Sequence, residues 1–283
     1  MKNQAQIIQQ HGKTFYWASF FLEKTVRSRL FSIYAFCRKV DDIVDTNKKK
    51  SINNFNKNLE EFTNLEKRFR PSKEIITQFI IGQQSDLSHT QPKTIDELII
   101  YCYRVAGIVG LMVCDALEVK DIKLRHYAID LGIAMQLTNI CRDIKEDANM
   151  ERVYLPESMV GKIKPKGVKI PSKDVLKKIE TCQKKLLDLA DDYYASAEYA
   201  IPFLPGKTSL AIRVAANIYQ AIGKKIINNN ISYIEDRVFV NNYEKLKITF
   251  FKIFSKGKSS NKLKTHNIKL HNAIKDLPGA NKN

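Results

Sequence analysis

Apolar side chains recur at three- and four-residue steps over long stretches of this chain that lack glycine and proline. That spacing places them on one face of an α-helix, and no stretch shows the two-residue alternation of a half-buried strand. With 11 Gly and 8 Pro among 283 residues, helix-breaking positions are few. We therefore expect an all-α, single-domain protein with helices around a common core. The first stretch, within 14–46, fits one or two helices and includes Trp17, Phe20, Phe21, Val26, Leu30, Ile33, Tyr34 and Cys37.

Local signals predict where several helices begin. Thr94 and Glu97 form a Thr-x-x-Glu capping box ahead of a run that is apolar nearly all round, which predicts a buried central helix. Asp121 and Ser172 are candidate N-caps of the following helices. The predicted helices span about 99–117, 122–146, 173–199 and 208–228.

Charge and cysteine content narrow the function classes. The formal net charge is +17, which favours anionic partners such as phosphorylated substrates, anionic lipid or nucleic acid. The five cysteines include no Cys-x-x-Cys pair, which argues against a zinc ribbon and fits reduced thiols. No signal peptide begins the chain, and no apolar run approaches the roughly 20 residues of a membrane span. We expect a cytoplasmic protein, soluble or peripheral on the inner face of the membrane.

Two acidic pairs stand on helices that are otherwise apolar. Asp41 and Asp45 are four residues apart and share a helix face, as do Asp143 and Asp147. A lone pair of this kind is usually a solvated helix end. Two pairs, each preceded by an arginine, also fit a Mg²⁺ site, because Mg²⁺ prefers carboxylate oxygens and substrate phosphates. The second pair extends a polar stripe of Gln136, Asn139, Asp143 and Asp147, which faces either solvent or an internal polar cavity.

Two glycines interrupt the apolar central run. Gly107 and Gly110 each cost about 1 kcal/mol relative to alanine inside a helix, so a compensating role is expected. One interpretation is close helix–helix packing. The other is room for an apolar substrate chain beside the helix.

Three blocks of this sequence resemble one family. The segment 32–45 (SIYAFCRKVDDIVD) resembles the first aspartate motif of the squalene/phytoene synthases. The segment 101–110 (YCYRVAGIVG) and the segment 136–156, which ends in ERVYLP, resemble two further blocks, most like those of bacterial phytoene synthases. The resemblance runs from about His11 to about Val240.

The resemblance implies an isoprenoid-synthase helical bundle around a central cavity. It implies a Mg²⁺-dependent prenyltransferase, with Mn²⁺ as a substitute metal, that joins two prenyl diphosphates head to head without a nicotinamide cofactor. The implied metal ligands are Asp41, Asp45, Asn139, Asp143 and Asp147. The implied diphosphate-binding or site-ordering residues are Arg38, Arg142, Tyr34, Lys13, Tyr101, Gln136, Asn139, Tyr219 and Arg237. Arg104 has no role that the resemblance supplies.

Several functions remain open at this point. The leading hypothesis is a phytoene synthase acting on two C20 diphosphates through prephytoene diphosphate. The alternative within the family is a dehydrosqualene or presqualene diphosphate synthase acting on C15 diphosphates, because cavity depth decides chain length. A catalytically inactive assembly factor of the same fold would be expected to lose motif aspartates, and both pairs are intact. A nucleic-acid binder would interleave exposed aromatics with basic residues, whereas many aromatics here fall on apolar faces.

The last segment differs from the rest. We divide the chain into a helical domain, 1–251, and a basic tail, 252–283, which holds eight Lys and one Asp. Its apolar residues are few, so the tail is expected to be disordered or to form a basic amphipathic helix that binds an anionic membrane surface.

Overall fold

The computed structural model describes residues 8–9, 12–46, 71–254 and 262–280, with the backbone alone for 43–46, 206 and 254. The described residues contain helices and no strand, as the apolar periodicity predicts. The first six helices are α1 Lys13–Ser19, α2 Lys24–Thr46, α3 Lys73–Ser85, α4 Ile95–Cys102, α5 Ile108–Ala116 and α6 Ile122–Arg142. The next six are α7 Ile144–Asn149, α8 Glu157–Val160, α9 Pro165–Lys169, α10 Lys173–Ala197, α11 Gly206–Asn228 and α12 Asn242–Phe254.

Three shorter elements complete the description. A π-helical segment, Tyr103–Gly107, joins α4 to α5 without a break in the helical path. Two 3₁₀ helices, Ile201–Phe203 and Ile268–Ile274, lie before α11 and near the C-terminus. π-helical turns inside α-helices occur frequently at functional sites.

The predicted helix starts are confirmed by their caps. The Thr94 hydroxyl accepts a hydrogen bond from the Glu97 amide at 3.2 Å, and the Glu97 carboxylate accepts one from the Lys93 amide at 2.7 Å. Asp121 and Ser172 cap α6 and α10 through their side chains. The helix predicted over about 122–146 is interrupted at Asp143, which separates α6 from α7.

Helix α6 lies at the centre of the bundle. It packs against α10, α11, α5 and the π-helical segment. Its buried apolar side chains are Tyr127, Ile129, Ile133, Ala134, Leu137, Ile140 and Cys141. The polar stripe therefore lies on a helix whose other faces are enclosed by protein.

The run Ile95–Ala116 is long and apolar enough to cross a membrane by length and composition. The expectation that no run reaches this length was therefore wrong. Half of the run is buried within the bundle, and side chains such as Leu98, Ile108 and Leu111 are fully buried. Burial against α6 and its neighbours therefore accounts for the apolar composition of this run, and no membrane is needed to explain it.

The described part of the C-terminal segment, 262–280, packs on the bundle. Ile274 and Ala280 are buried in the common core, and the hydroxyl of Tyr193 donates to the carbonyl of Leu270 at 2.7 Å. The division of the chain at 251 is also displaced, since α12 continues to Phe254. Residues 262–280 are therefore ordered against the bundle, because a few well-placed apolar residues complete a core that other helices supply. Binding of the tail to an anionic membrane surface stays a prediction.

Close backbone packing explains Gly110 of the central run. A Cβ atom at Gly110 would lie 2.2 Å from the carbonyl oxygen of Ala128 on α6. A Cβ at Gly132 would lie 2.3 Å from the carbonyl oxygen of Ala106. Close helix–helix packing is therefore the correct interpretation of Gly110, and no room for a substrate chain exists on that side.

We expect Gly110→Ala to lower the free energy of unfolding by about 1–3 kcal/mol, because two backbones must separate to admit one methyl group. The measurement is urea unfolding followed by circular dichroism. Gly167→Ala on α9 is the matched control, since its Cβ would meet only a movable Ile163 methyl at 3.3 Å. Equal stability of the two variants would contradict the packing argument.

Candidate active site

Asp143 lies where α6 ends and α7 begins, and two arginines bind its carboxylate. Arg142 Nε donates to Oδ1 at 2.7 Å, and a second Arg142 nitrogen donates to Oδ2. Arg237, from the loop before α12, donates through Nε at 2.7 Å and through a terminal nitrogen at 2.9 Å. The structure thus brings together three predicted site residues from two distant parts of the chain.

The two aspartates of this motif lie in different electrostatic environments, which shift their pKa values in opposite directions. Burial alone would raise the pKa of Asp143, but hydrogen bonds from Arg142 and Arg237 outweigh it and hold the pKa below its ordinary value. Burial raises the pKa of Asp147 to about 8, and the negative charge of Asp143 adds to the rise. Asp147 therefore lies beside other carboxylates, including Asp86, and the positive charge of Arg152 only partly offsets their effect and that of burial.

Asn139 carries a buried oxygen without a partner. Its Nδ2 donates to Gln136 Oε1 at 3.4 Å, while its Oδ1 is buried and has no hydrogen-bond partner among the described residues. A buried carbonyl oxygen without a donor costs free energy unless a ligand satisfies it. Asn139 is one turn before Asp143 on the same face of α6, so its oxygen and the aspartate oxygens are suited to share a cation.

The first motif lies on α2. Arg38 forms an ion pair with Asp42 one turn later, with a terminal nitrogen 2.5 Å from Oδ1. Its Nε is buried without a hydrogen-bond partner in the described part of the chain. Asp41 is half-buried, and the side chain of Asp45 lies outside the described residues. The unsatisfied Arg38 Nε is a donor suited to an anionic oxygen.

Aromatic side chains connect the two motifs. The ring of Phe15 on α1 lies 6.1 Å from that of Tyr34 and 5.5 Å from that of Tyr219, measured between centroids. Burial raises the pKa of Tyr34, whose electrostatic neighbours include Tyr219, Arg38 and Asp41.

Tyr219 is in turn an electrostatic neighbour of Arg142, Asp143 and Arg237, and burial raises its pKa as well. The aromatic group of Phe15, Tyr34 and Tyr219 therefore lies between the first motif and the second.

Tyr101 reaches a residue that the sequence did not single out. The hydroxyls of Tyr101 and Tyr154 donate to the two oxygens of Asp86, at 3.0 and 2.8 Å, and their rings stack with centroids 4.8 Å apart. Asp86 follows directly after α3. It contributes to the raised pKa of Asp147, so it belongs to the same carboxylate cluster. A single aspartate after a helix carries no local signal, and only the fold brings it to the site.

The remaining predicted residues are placed differently. Lys13 is exposed at the start of α1 and is close enough to Lys245 to add to the burial that lowers the pKa of that lysine. Gly12 packs against the Tyr34 ring, since a Cβ at Gly12 would lie 2.8 Å from the phenol. Arg104 in the π-helical segment donates from Nε to Gln78 at 3.1 Å. His11 lies outside the described residues.

Comparison with known proteins identifies the family. A family model described as squalene/phytoene synthase matches residues 8–244. The chain belongs to the squalene/phytoene synthase family. Among its relatives, a 15-cis-phytoene synthase from Enterobacter agglomerans is 30% identical over 261 residues, covering 83% of this chain and 88% of the relative. A phytoene synthase from Arthrospira platensis is 28% identical over 272 residues, covering 85% and 88%.

Solved structures share the fold of this squalene/phytoene synthase family member. A dehydrosqualene synthase in complex with a ligand superposes with a TM-score of 0.69 at 24% identity, covering 88% of this chain and 94% of that one. A squalene synthase from Alicyclobacillus acidocaldarius gives 0.66 at 17% identity, covering 80% and 94%. The predicted all-α isoprenoid-synthase fold is confirmed.

We expect Asp147→Asn to stabilise the metal-free protein increasingly as the pH rises from about 4 to about 8. A folded pKa of about 8 lies above the unfolded value, so the wild type loses stability as the pH rises through this window. Asparagine cannot ionise and escapes that loss. Melting temperatures measured with a chelator at several pH values test this.

The matched control is Asp174→Asn, whose carboxylate is 73% exposed on α10. The melting temperature of this control should differ from that of the wild type by an amount that does not grow with pH. A constant difference for Asp147→Asn as well would contradict the raised pKa of Asp147.

Proposed function

We propose that this protein is a Mg²⁺-dependent phytoene synthase that joins two C20 prenyl diphosphates head to head. The observation that carries the proposal is the set of unsatisfied buried groups in the two motifs. Asn139 Oδ1 requires a cation or donor, and Arg38 Nε requires an acceptor. A metal–diphosphate pair meets both requirements at once. The phytoene synthases among the relatives support the choice of reaction.

The residues present fit a divalent metal. The ligands we assign are oxygen donors from both motifs, as Mg²⁺ prefers, and Mn²⁺ is a reasonable substitute. When bound, the metal neutralises diphosphate charge and makes it a better leaving group. A bound cation also favours the ionised form of Asp147, which is otherwise disfavoured. The assigned ligands are Asp41, Asp45, Asn139, Asp143 and Asp147.

Arginines are the residues that we assign to binding the diphosphate. Arg142 and Arg237 donate to Asp143, so we propose that they turn part of their hydrogen bonding to diphosphate oxygens when substrate enters. Planar guanidinium groups suit this exchange, because they bind carboxylate and phosphate oxygens with the same geometry. Arg38 offers its buried Nε to the same anion. Lys13 is exposed and would act at the mouth of the site.

The reaction balances without an electron donor. The C1–O bond of the first substrate breaks, diphosphate leaves with the electron pair, and the double bond of the second substrate attacks the allylic cation. Loss of one proton gives the cyclopropylcarbinyl intermediate prephytoene diphosphate. Its ionisation, rearrangement and loss of a second proton give phytoene. No nicotinamide cofactor is required.

The aromatic group protects these cations. The faces of Phe15, Tyr34 and Tyr219 lie between the motifs, where positive charge develops after diphosphate leaves. Aromatic faces attract cations and exclude the water that would trap them. Burial keeps the hydroxyls of Tyr34 and Tyr219 protonated, so both remain neutral donors near the leaving group.

Incubation with labelled C20 and C15 diphosphates, with and without Mg²⁺ and a nicotinamide reductant, tests the proposal. We expect a C40 product from the C20 substrate that depends on Mg²⁺ and not on reductant. Asp143→Asn should lower turnover at least about 100-fold, because the site loses charge that stabilises ionisation. Asp174→Asn is the matched surface control and should retain full turnover.

Other outcomes select the alternatives. A C30 product formed in preference to the C40 product would assign the protein as a dehydrosqualene or presqualene diphosphate synthase. Failure of both substrates under all conditions, with a native circular dichroism spectrum, would favour an inactive assembly factor of the same fold.

We also propose that the enzyme works in the cytoplasm in peripheral contact with an anionic membrane surface. Helix α12 carries a stripe of exposed apolar side chains, which we call the α12 stripe. The net charge of +17 complements anionic lipid, and both substrate chains and product are lipids. The α12 stripe consists of Tyr243, Leu246, Phe250 and Ile253, with exposed Phe251 beside it.

We expect replacement of Phe250 and Phe251 by serine to weaken binding to phosphatidylglycerol liposomes by about tenfold or more, because the lipid contact loses two exposed aromatic rings that would enter the bilayer. Co-sedimentation at low salt measures this. Ile170→Ser, at a side chain 76% exposed outside the α12 stripe, is the control and should bind normally. Unchanged binding of the double variant would reject the contact.

A further inference from the structure

A second polar cluster lies in the core away from the aspartate motifs. It joins Asp130 of α6 to His266 and His271 of the C-terminal segment. The Nε2 atoms of His266 and His271 lie 2.8 Å from Oδ2 and Oδ1 of Asp130, respectively. One ligand atom from each of the three residues lies within 4.8 Å of the others. The imidazole of His126, one turn before Asp130, has its ring centroid 5.3 Å from that of His266 and 5.6 Å from that of His271.

The buried carboxylate of Asp130 requires positive charge. Asp130 is fully buried, and its hydrogen-bond partners among the described residues are Ser196, His266 and His271. A cation held between these ligand atoms would compensate the charge of a buried carboxylate, which is costly to leave alone in the core.

We propose that Asp130, His266 and His271 form a structural site for Zn²⁺. Two imidazoles and one carboxylate are a ligand set that suits zinc, whereas Mg²⁺ prefers oxygen ligands alone. In the metal-bound state both imidazoles are neutral, carry their proton on Nδ1 and present the Nε2 lone pair to the ion. A water molecule can complete a tetrahedral shell.

Neighbouring residues orient the proposed ligands and fix the segment that carries the two histidines. The Ser196 hydroxyl donates to Asp130 Oδ2 at 2.6 Å and orients the carboxylate, as outer-shell groups do for metal ligands. Tyr127 donates to the carbonyl of Lys264, and Tyr193 donates to that of Leu270, so both ends of the histidine segment are fixed to the bundle. The side chain of His266 is 9% exposed, which leaves a short path for an ion to enter.

This site is separate from the family's active site. The family model ends at residue 244, before both histidines of the C-terminal segment. Asp130 and Asn139 are nine residues apart on α6, or about 13 Å along the helix axis. The zinc ion would hold residues 262–280 against α6, and its role would be to stabilise the fold rather than to react with substrate.

Metal analysis of the full-length protein tests the proposal. Protein expressed with added zinc and washed in buffer containing Mg²⁺, which occupies the aspartate motifs, should retain one equivalent of zinc per chain. Removal of zinc by a chelator should lower the melting temperature, and zinc at hundredfold excess over its dissociation constant should raise it again by about 5–10 °C. Less than a tenth of an equivalent, with no response of the melting temperature to zinc, would overturn the site.

His271→Gln separates metal binding from hydrogen bonding. Its amide can still donate to Asp130, so a purely hydrogen-bonded cluster would lose little, whereas a zinc site would lose stoichiometric binding and the zinc-dependent rise in melting temperature. His89→Gln, outside the cluster, is the control and should keep both. Should His271→Gln fail to fold, His266→Gln gives the same test at the more exposed position. Zinc retention by the folded variant equal to that of the wild type would also overturn the assignment.

Discussion

The close approach of α6 to the helical run of α4, the π-helical segment and α5 is the constraint on which the rest of the structure depends. At Gly110 and Gly132 the two backbones meet with no space for a Cβ atom. This contact fixes α6 in the centre of the bundle. All polar groups of α6 must then be satisfied within the protein or by a ligand, because few of them can reach solvent.

The polar groups of α6 fall into two sets at different heights along the helix. Near its C-terminal end, Asn139 and Asp143 join Asp147 and Asp86 in a polar cluster. Two arginines bind Asp143, whereas Arg152 only partly offsets the raised pKa of Asp147. A chain with an excess of 17 positive charges has nevertheless concentrated negative charge in its interior. Such an arrangement opposes stability without a cation and favours binding of one, which is the physical basis of the proposed metal–diphosphate chemistry.

The second set, around Asp130, ties the C-terminal segment to the bundle. The segment contributes few apolar residues of its own, yet Ile274 is fully buried because the surrounding helices already form a pocket for it. Exposed apolar surface is instead concentrated on α12, just before this segment. The described end of the chain thus consists of a helix with an exposed apolar stripe and a later segment that contacts the core.

Much of this protein was determined by its sequence alone. Helical periodicity predicted the all-α fold, and caps at Thr94, Asp121 and Ser172 located three helix starts, because both signals act within a few residues. The spacing of Asp143 and Asp147 also predicted a shared face.

Only the tertiary structure decided which groups meet across the chain. Arg237 on Asp143, Asp86 between Tyr101 and Tyr154, and two distant histidines on Asp130 are contacts between residues without a local signal. The packing of residues 262–280 could not be predicted for the same reason: whether a few apolar residues are buried depends on a surface that other helices build, and no local pattern records that surface.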